Sequence, residues 1–229
     1  MERKVSFVQG EYYHVYNRSV EKRIIFLNAY DYKRFILLLH VLNTDQNLKI
    51  RDLLKENNFD QLLKIENKDP LVAIGAYCLM PNHFHLLLTP LKDGGISKFM
   101  LKVQTAYSMY FNNKNGRSGA LFQGVFKSEH VDNDNYLRYL YSYIHLNPAK
   151  LKDKNWKERG SIDFNFLKTY IFSYEYSSIG EYLKGNFTIV NPHAFPEYKK
   201  LYKSEKEYFR NMIDDWLDYK ETETQGSPV

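Results

Sequence analysis

The strongest constraint on the fold is an apolar run that leads through a two-residue turn directly into a second strand-like segment. Residues 71–80 are continuously apolar, as expected of a strand. Pro81-Asn82 is a turn sequence, and residues 83–89 begin a new strand pattern immediately after it. The sequence therefore predicts two consecutive strands joined by a tight turn.

Further strands and helices are predicted around this pair of strands. Asn28 is a candidate helix cap, and about residues 43–69 form a charged, helix-prone insertion. The full predicted order is strand 12–20, helix 31–42, strands 71–80 and 83–89, helix 96–112, strand 121–131 and helix 135–146. This order matches the split βαβ pattern. The predicted fold class is therefore α+β: a ferredoxin-like antiparallel sheet with helices on one face, plus a helical or irregular C-terminal extension.

The pattern becomes less regular after about residue 150, where loop signals separate weaker helical segments. We therefore assign residues 1–150 to one domain and residues 151–229 to an extension that packs on it. A final helix is predicted over residues 205–219.

Composition narrows the class of protein. The net charge of +5 and the pI of about 9.0 favour an anionic partner such as nucleic acid, although ordinary basic proteins share them. The 20 Tyr and 15 Phe suit base stacking on single strands, and a Tyr-rich core explains them equally well. Cys78 is the single cysteine, so no disulfide can form within the chain. With no signal peptide or membrane-length apolar run, we expect a cytoplasmic, nucleoid-associated protein without membrane contact.

Two histidines stand out on the second of these strands. Side chains of a strand alternate between its two faces, so His83 and His85 point the same way while Phe84 points into the core. Two imidazoles at this spacing can bind a metal ion. Two polar residues on a solvent-facing strand are the simpler interpretation of this short pattern taken alone.

A tyrosine-rich helix supplies the second candidate feature. Tyr143 and Asn147 lie one turn apart on one face of it, and Tyr136, Tyr139 and Tyr141 are alternative reactive tyrosines. Taken alone, this pattern is typical of helix packing. Together with the histidines it is more specific, because a metal could polarise a phosphodiester for attack by a phenol. An Asn oxygen beside two imidazoles suits Mg²⁺ or Mn²⁺ better than a structural zinc site.

Four ordered motifs carry a family resemblance over about residues 10–150. They are Tyr-His-Val-Tyr-Asn-Arg at 13–18, Tyr-Cys-Leu-Met-Pro-Asn-His-Phe-His-Leu-Leu at 77–87, Gly-Ala-Leu-Phe-Gln-Gly at 119–124 and Tyr-Ile-His-Leu-Asn-Pro at 143–148. The chain resembles the single-tyrosine HUH transposases of insertion sequences, particularly the REP-associated tyrosine transposases.

The resemblance implies a function and a set of roles. His83 and His85 would hold the metal with Asn147 as third ligand, and Tyr143 would form a 5′-phosphotyrosine. The substrate would be single-stranded DNA with a hairpin or palindromic end, bound by a catalytic domain at residues 1–150 and aided by the extension. Monomeric and homodimeric relatives leave the oligomeric state open, as well as whether Tyr143 acts in cis or in trans.

Several basic and polar residues are candidates for DNA contact: Asn17, Arg18, Lys102, Arg117, Lys127 and Arg138. A solvated surface explains the same residues almost as well. Val125 stands where members of the family commonly have Arg, and Lys127 is the candidate replacement for that charge.

Two other functions remain open from the sequence. One is a non-catalytic regulator that binds structured single strands and has lost activity. The other is a metal-dependent phosphodiesterase with water as nucleophile, although no Asp/Glu-rich cluster lies near the histidines in sequence.

Overall fold

A computed structural model describes residues 6–154, 156, 163–197 and 204–225. Within these residues, four strands form one antiparallel sheet in the order β2-β3-β1-β4. The strands are β1 (Tyr12–Arg18), β2 (Val72–Met80), β3 (His83–Pro90) and β4 (Lys127–Val131). This is the strand order of a split βαβ fold, so the predicted α+β, ferredoxin-like class is confirmed.

The helices lie on both faces of this sheet. Their bounds are α1 (Ala29–Val41), α2 (Ile50–Glu56), α3 (Phe59–Leu63), α4 (Gly95–Lys114), α5 (Asp134–Leu146), α6 (Phe164–Phe172), α7 (Ile179–Lys184) and α8 (Glu205–Gln225). The two helices of the split βαβ unit, α1 and α4, cover one face as predicted. The next helix, α5, covers the opposite face. Residues 43–69 contain α2 and α3, in agreement with the predicted helical insertion.

The predicted pair of strands forms a tight hairpin as β2 and β3, with Met80 opposite His83 across the turn. All nine residues of β2 are buried, because helices cover the sheet on both sides. A bulge interrupts the register between Ile74 and Ala76. Gly75, at the bulge, is approached so closely that a Cβ there would lie 2.8 Å from the Tyr141 hydroxyl.

The larger core lies between the sheet and the α1–α4 layer. Phe84 is fully buried there and contacts the rings of Phe35 on α1 and Phe122. Burying a side chain of this size contributes roughly 1.5–3 kcal/mol. Asn28 caps α1 as predicted, accepting a hydrogen bond from the backbone of Asp31. The core therefore fixes the apolar face of β3, and with it the backbone that carries the polar side chains of the opposite face.

The face covered by α5 has a smaller core. Leu140 and Ile144 of α5 pack on Ala76, Cys78 and Leu87 of the hairpin. Asn133 caps this helix by accepting from the Tyr136 backbone. The apolar stripe of α5 therefore fixes its rotation about its own axis, which determines where its tyrosines point.

The predicted strand over residues 121–131 is wrong in its first half. β4 begins only at Lys127, and the preceding segment is a loop in which Gly124 has φ +66°. Leu121, Phe122 and Phe126 are buried in the larger core, which explains why the segment has the composition of a strand. β1 likewise ends at Arg18 and not at residue 20.

The C-terminal segment covers the free edge of β2. The backbone of Leu79 donates to Tyr176, and that of Ser178 donates to Tyr77. This short pairing protects an edge that would otherwise expose hydrogen-bonding groups. Helix α8 packs along α5 through Phe209 and Trp216, and runs six residues beyond the predicted end at 219.

Within the described ranges, the structure contains no helix with both the length and the apolar character needed to cross a membrane.

Candidate active site at the paired histidines

The two histidines lie on one face of β3, as the alternation of the strand predicts. The centroids of the His83 and His85 rings are 5.1 Å apart, with the rings nearly perpendicular. His85 is buried at 6% exposure, whereas His83 is partly open to solvent. Phe84 between them is locked in the opposite core. The backbone that carries both imidazoles is therefore rigid.

Hydrogen bonds at Nδ1 leave Nε2 of each ring for another partner. His83 Nδ1 lies 2.6 Å from Asn82 Oδ1, and His85 Nδ1 lies 2.9 Å from His14 Nε2. Burial, followed by the nearby Arg18 and Lys150 charges, lowers the pKa of His83 to about 4. Burial also lowers the pKa of His85 well below its ordinary value, with His14 the next cause. Both rings are therefore neutral at pH 7, the form in which imidazole binds metals.

Tyr143 of the same chain lies against His85 and its neighbour His14. Its ring centroid is 5.3 Å from that of His85 and 5.8 Å from that of His14, nearly perpendicular to both. The side chain is half-buried, so it remains accessible from solvent. Burial raises the pKa of the Tyr143 hydroxyl, with a smaller opposing effect from a hydrogen bond to Asn147. The phenol is therefore protonated at neutral pH.

Asn147 and Lys150 border the site on the turn that follows α5. Asn147 is buried, and its Nδ2 donates to the Tyr143 carbonyl. Its Oδ1 accepts from Lys150 Nζ at 3.1 Å, and that ammonium lies 5.0 Å from the centre of the Tyr143 ring. The amide oxygen has a second lone pair, which a cation could take as a ligand beside Lys150. Lys150 was not predicted from sequence; its position two turns after Tyr143 was the available signal.

Three further site residues were not predicted as functional: His14, Tyr16 and Glu129. The register places Tyr16 opposite His85 and His14 opposite Glu129. The Tyr16 hydroxyl donates to Glu129 at 2.7 Å, and His14 Nδ1 lies 3.7 Å from the same carboxylate. A single sequence does not specify this pairing register. The aromatic and histidine content of β1 was the available signal for His14 and Tyr16, and no comparable signal marked Glu129 on β4.

The six residues predicted to contact DNA do not lie together. Arg18 is opposite His83 on β1, and Lys127 is opposite Tyr16 on β4, so both lie beside the histidines. Asn17 points to the other face and donates to Gln104 and the Gly124 carbonyl.

The remaining three predicted DNA contacts lie away from the histidines. Lys102 donates to backbone carbonyls of the insertion, and Arg117 donates to Asn112 after α4, on the other layer. Arg138 pairs with Asp134 and lines a cavity on the far side of α5. The six residues predicted to contact DNA are therefore spread over both faces of the sheet. A DNA role for them stays a prediction.

The alternative tyrosines of α5 have other partners. Tyr136 donates to Glu129, Tyr139 stacks on Tyr219, and Tyr141 packs against Tyr182. Outside α5, Tyr16 of β1 also lies near the site, with its ring centroid 5.8 Å from that of His85. Burial and the hydrogen bond to Glu129 raise the pKa of Tyr16 to about 12. Tyr143 is the tyrosine of α5 whose ring packs on His85.

The donor atoms of the site suit a divalent cation. Over the described part of the chain, no group of three or more His, Cys, Asp or Glu side chains is arranged to hold a metal ion. His83 and His85 nevertheless offer two neutral imidazole nitrogens, and the Asn147 amide oxygen lies on the neighbouring helix end. Waters and phosphate oxygens can complete such a set, as is common for Mg²⁺ and Mn²⁺.

Fold and site together define a class of protein: an α+β chain that sets a tyrosine-bearing helix against paired histidines on its own sheet. Residues 40–147 match the family model described as IS200-like transposase. This segment is therefore similar to IS200-like transposases, in agreement with the resemblance found in the motifs. The matched segment includes the hairpin with both histidines, the whole of α5 and Asn147.

One solved structure with a detectable likeness is that of a REP-associated tyrosine transposase bound to a REP hairpin. It aligns with 82% of this chain and 89% of its own, at 14% sequence identity and a TM-score of 0.47. No curated protein matches the chain.

Proposed function

We propose that the protein is a metal-dependent enzyme that cleaves and rejoins single-stranded DNA bearing a hairpin, through a covalent 5′-phosphotyrosine on Tyr143. The packing of Tyr143 over His85, with ring centroids 5.3 Å apart in one chain, is the observation that carries the proposal. The match of residues 40–147 to the IS200-like transposase model supports the same reaction class. The hairpin substrate rests on the motif resemblance alone.

The proposed step conserves the phosphodiester bond energy. The Tyr143 oxygen attacks phosphorus and forms a new P–O bond, while the bond to the 3′ oxygen breaks. The phenol loses its proton and the departing 3′ oxygen gains one. Attack by another 3′ hydroxyl on the phosphotyrosine reverses the step and rejoins a strand.

The residues around Tyr143 fit this chemistry. His83 and His85, with Asn147, would hold Mg²⁺ or Mn²⁺, which supplies positive charge to the scissile phosphate when bound. Lys150 and Arg18 add two fixed positive charges beside the histidines. Such charges stabilise the additional negative charge that develops on phosphate oxygens during transfer.

A trapped adduct tests the proposal. Hairpin-bearing single strands incubated with the protein and Mn²⁺ should give a covalent complex on a denaturing gel. Tyr143→Phe should abolish it, whereas Tyr141→Phe, on another side of α5, should retain it. Adduct formation by Tyr143→Phe would refute the nucleophile. Binding without cleavage would instead favour a regulator, and metal-dependent cleavage without an adduct would favour water as nucleophile.

We also propose that a single chain contains a complete site, acting in cis. Tyr143 packs on the histidines of its own chain, which supports a monomer as the active unit. Mixing Tyr143→Phe with a His83→Ala, His85→Ala double variant distinguishes the two arrangements. A cis site predicts an inactive mixture, whereas recovered activity would indicate a homodimer that exchanges the tyrosine helix.

A further inference from the structure

We propose that His14 and Glu129 are positioning residues that fix the proton of His85 on Nδ1 and so present its Nε2 lone pair to the metal. This inference rests on the proposed role of His83 and His85 as metal ligands. It assigns a role to two side chains, on β1 and β4, that do not themselves reach the metal.

The contact between His14 and His85 requires a choice of tautomer. Their nitrogens, His14 Nε2 and His85 Nδ1, are 2.9 Å apart, and both side chains are buried at 6% exposure. When both rings are neutral, one must donate the shared proton and the other must accept it. If His14 donates, His85 carries its own proton on Nε2 and cannot bind a metal there. If His85 donates from Nδ1, its Nε2 lone pair is available.

Glu129 favours the second arrangement. Its Oε2 is 3.7 Å from Nδ1 of His14, on the opposite edge of that ring. An ionised carboxylate only accepts hydrogen bonds, so its field stabilises a proton on His14 Nδ1 and leaves His14 Nε2 as the acceptor. His85 must then donate. Carboxylate–histidine pairs of this kind commonly orient metal ligands, although here one additional imidazole stands between.

The carboxylate is itself held in place. Tyr16 donates to Oε1 at 2.7 Å and Tyr136 to Oε2 at 3.1 Å, one from β1 and one from α5. The His14 ring first, and then Tyr16, lower the pKa of Glu129 to about 2 against an opposing effect of desolvation, although 51% of its side chain is exposed. Glu129 is therefore ionised throughout the neutral range.

A second histidine–carboxylate pair provides a matched control. His130, the next residue after Glu129, lies 2.7 Å from Glu11 through its Nε2. Both side chains are substantially exposed, and His130 packs on Tyr13, away from His85. Glu11→Gln also removes one carboxylate from a histidine–carboxylate pair between the β1 and β4 segments. It leaves His14, His85 and Glu129 unchanged.

The test measures proton position and metal affinity separately. Long-range ¹H–¹⁵N spectra of the metal-free full chain should show His85 protonated on Nδ1 and shifted toward the other tautomer in Glu129→Gln. Mn²⁺ titration calorimetry should show affinity weakened about 10- to 100-fold in Glu129→Gln and in His14→Leu. Glu11→Gln should match the unsubstituted protein in both measurements.

A rescue variant separates positioning from packing. In His14→Gln, an amide oxygen can still accept from His85 Nδ1, so metal affinity should be retained. Adding Glu129→Gln to His14→Gln should then have no further effect, because the coupling passes through the imidazole. Should Glu129→Gln unfold the chain, the two His14 variants test the acceptor on their own.

The outcomes separate this inference from the proposed function. Unchanged tautomer and Mn²⁺ affinity in Glu129→Gln, with affinity lost in His85→Ala, would overturn the relay alone. Equal weakening in His14→Gln and His14→Leu would also overturn it, since His14 would then act as a ligand or by packing. Absence of Mn²⁺ binding to the unsubstituted protein would overturn the metal site itself, and this inference with it.

Discussion

Asp31 offers the sharpest test of what holds the α1–α4 layer beneath the site. Its carboxylate is fully buried and accepts hydrogen bonds from Tyr110, Lys114 and the Leu27 backbone. It thereby joins the first turn of α1 to the last turns of α4. Asp31→Asn keeps the volume but replaces one acceptor with a donor, so at least one of these three donors loses its partner.

The expected loss follows from burial. Breaking a buried ion pair by removing one partner costs about 3–5 kcal/mol. Because Lys114 is 32% exposed, water can stabilise part of its charge, so we expect about 2–3 kcal/mol here. With a urea m-value of about 2–3 kcal/mol/M for a chain of this size, the unfolding midpoint should fall by about 1 M.

The contribution of Asp31 to stability should also depend on pH in a definite direction. Burial alone would raise the pKa of Asp31, but the Lys114 and Tyr110 hydrogen bonds outweigh it and lower the pKa overall. A carboxyl with a depressed folded pKa stabilises fully above its unfolded value, near 3.8. The stability difference between Asp31→Asn and the unsubstituted protein should therefore be constant from pH 5 to 8 and shrink below about pH 4.

Urea unfolding followed by circular dichroism measures this effect, and Asp45→Asn is the control. Asp45 also pairs with two lysines, Lys92 and Lys98, but its side chain is 43% exposed. Its substitution should leave the midpoint nearly unchanged, because solvent screens exposed pairs. Equal shifts in Asp31→Asn and Asp45→Asn would refute the argument that burial, and not the number of ion pairs, sets the cost.

Three further predictions concern the sheet and the site. Gly75→Ala should cost about 1–3 kcal/mol in urea unfolding, because its Cβ would lie 2.9 Å from the Phe195 ring, whereas Gly180→Ala, with open space around it, should not destabilise. Cys78 is fully buried and burial raises the pKa of its thiol, so alkylation should follow global unfolding; a fast reaction with native protein would contradict this burial. Lys150→Met should slow adduct formation about 10²- to 10³-fold if its charge stabilises transfer, and an unchanged rate would exclude that role.

The sequence predicted the elements whose patterns are local. The hairpin, α1 with its Asn28 cap, α4 and α5 all formed close to their expected limits, because apolar periodicity and capping depend on neighbouring residues. The error at residues 121–126 has the same origin. Leu121 and Phe122 are buried as in a strand, but positive φ at Gly119 and Gly124 makes the segment a loop.

The site was predictable only in part, because some of its residues are placed by local rules and others by long-range pairing. His83 and His85 share a face because of strand alternation, which is a local rule, and the motif resemblance supplied Tyr143 and Asn147. The positions of His14 and Glu129 depend on the register of β1 against its two neighbours, which is a long-range property. Lys150 lies beyond Pro148, and the turn after α5 returns it towards the tyrosine ring.

The rigidity of the site follows from how its two sides are fastened. Phe84 is locked between Phe35 and Phe122, so the strand cannot rotate its histidines without opening the larger core. The tyrosine helix packs on the hairpin through Leu140 and Ile144, and the C-terminal segment fastens its end: His145 contacts Ser178, whose backbone pairs with the edge of β2. Loosening the C-terminal segment should therefore displace Tyr143 while leaving the paired histidines in place. A chain shortened before this segment is expected to retain Mn²⁺ binding better than adduct formation.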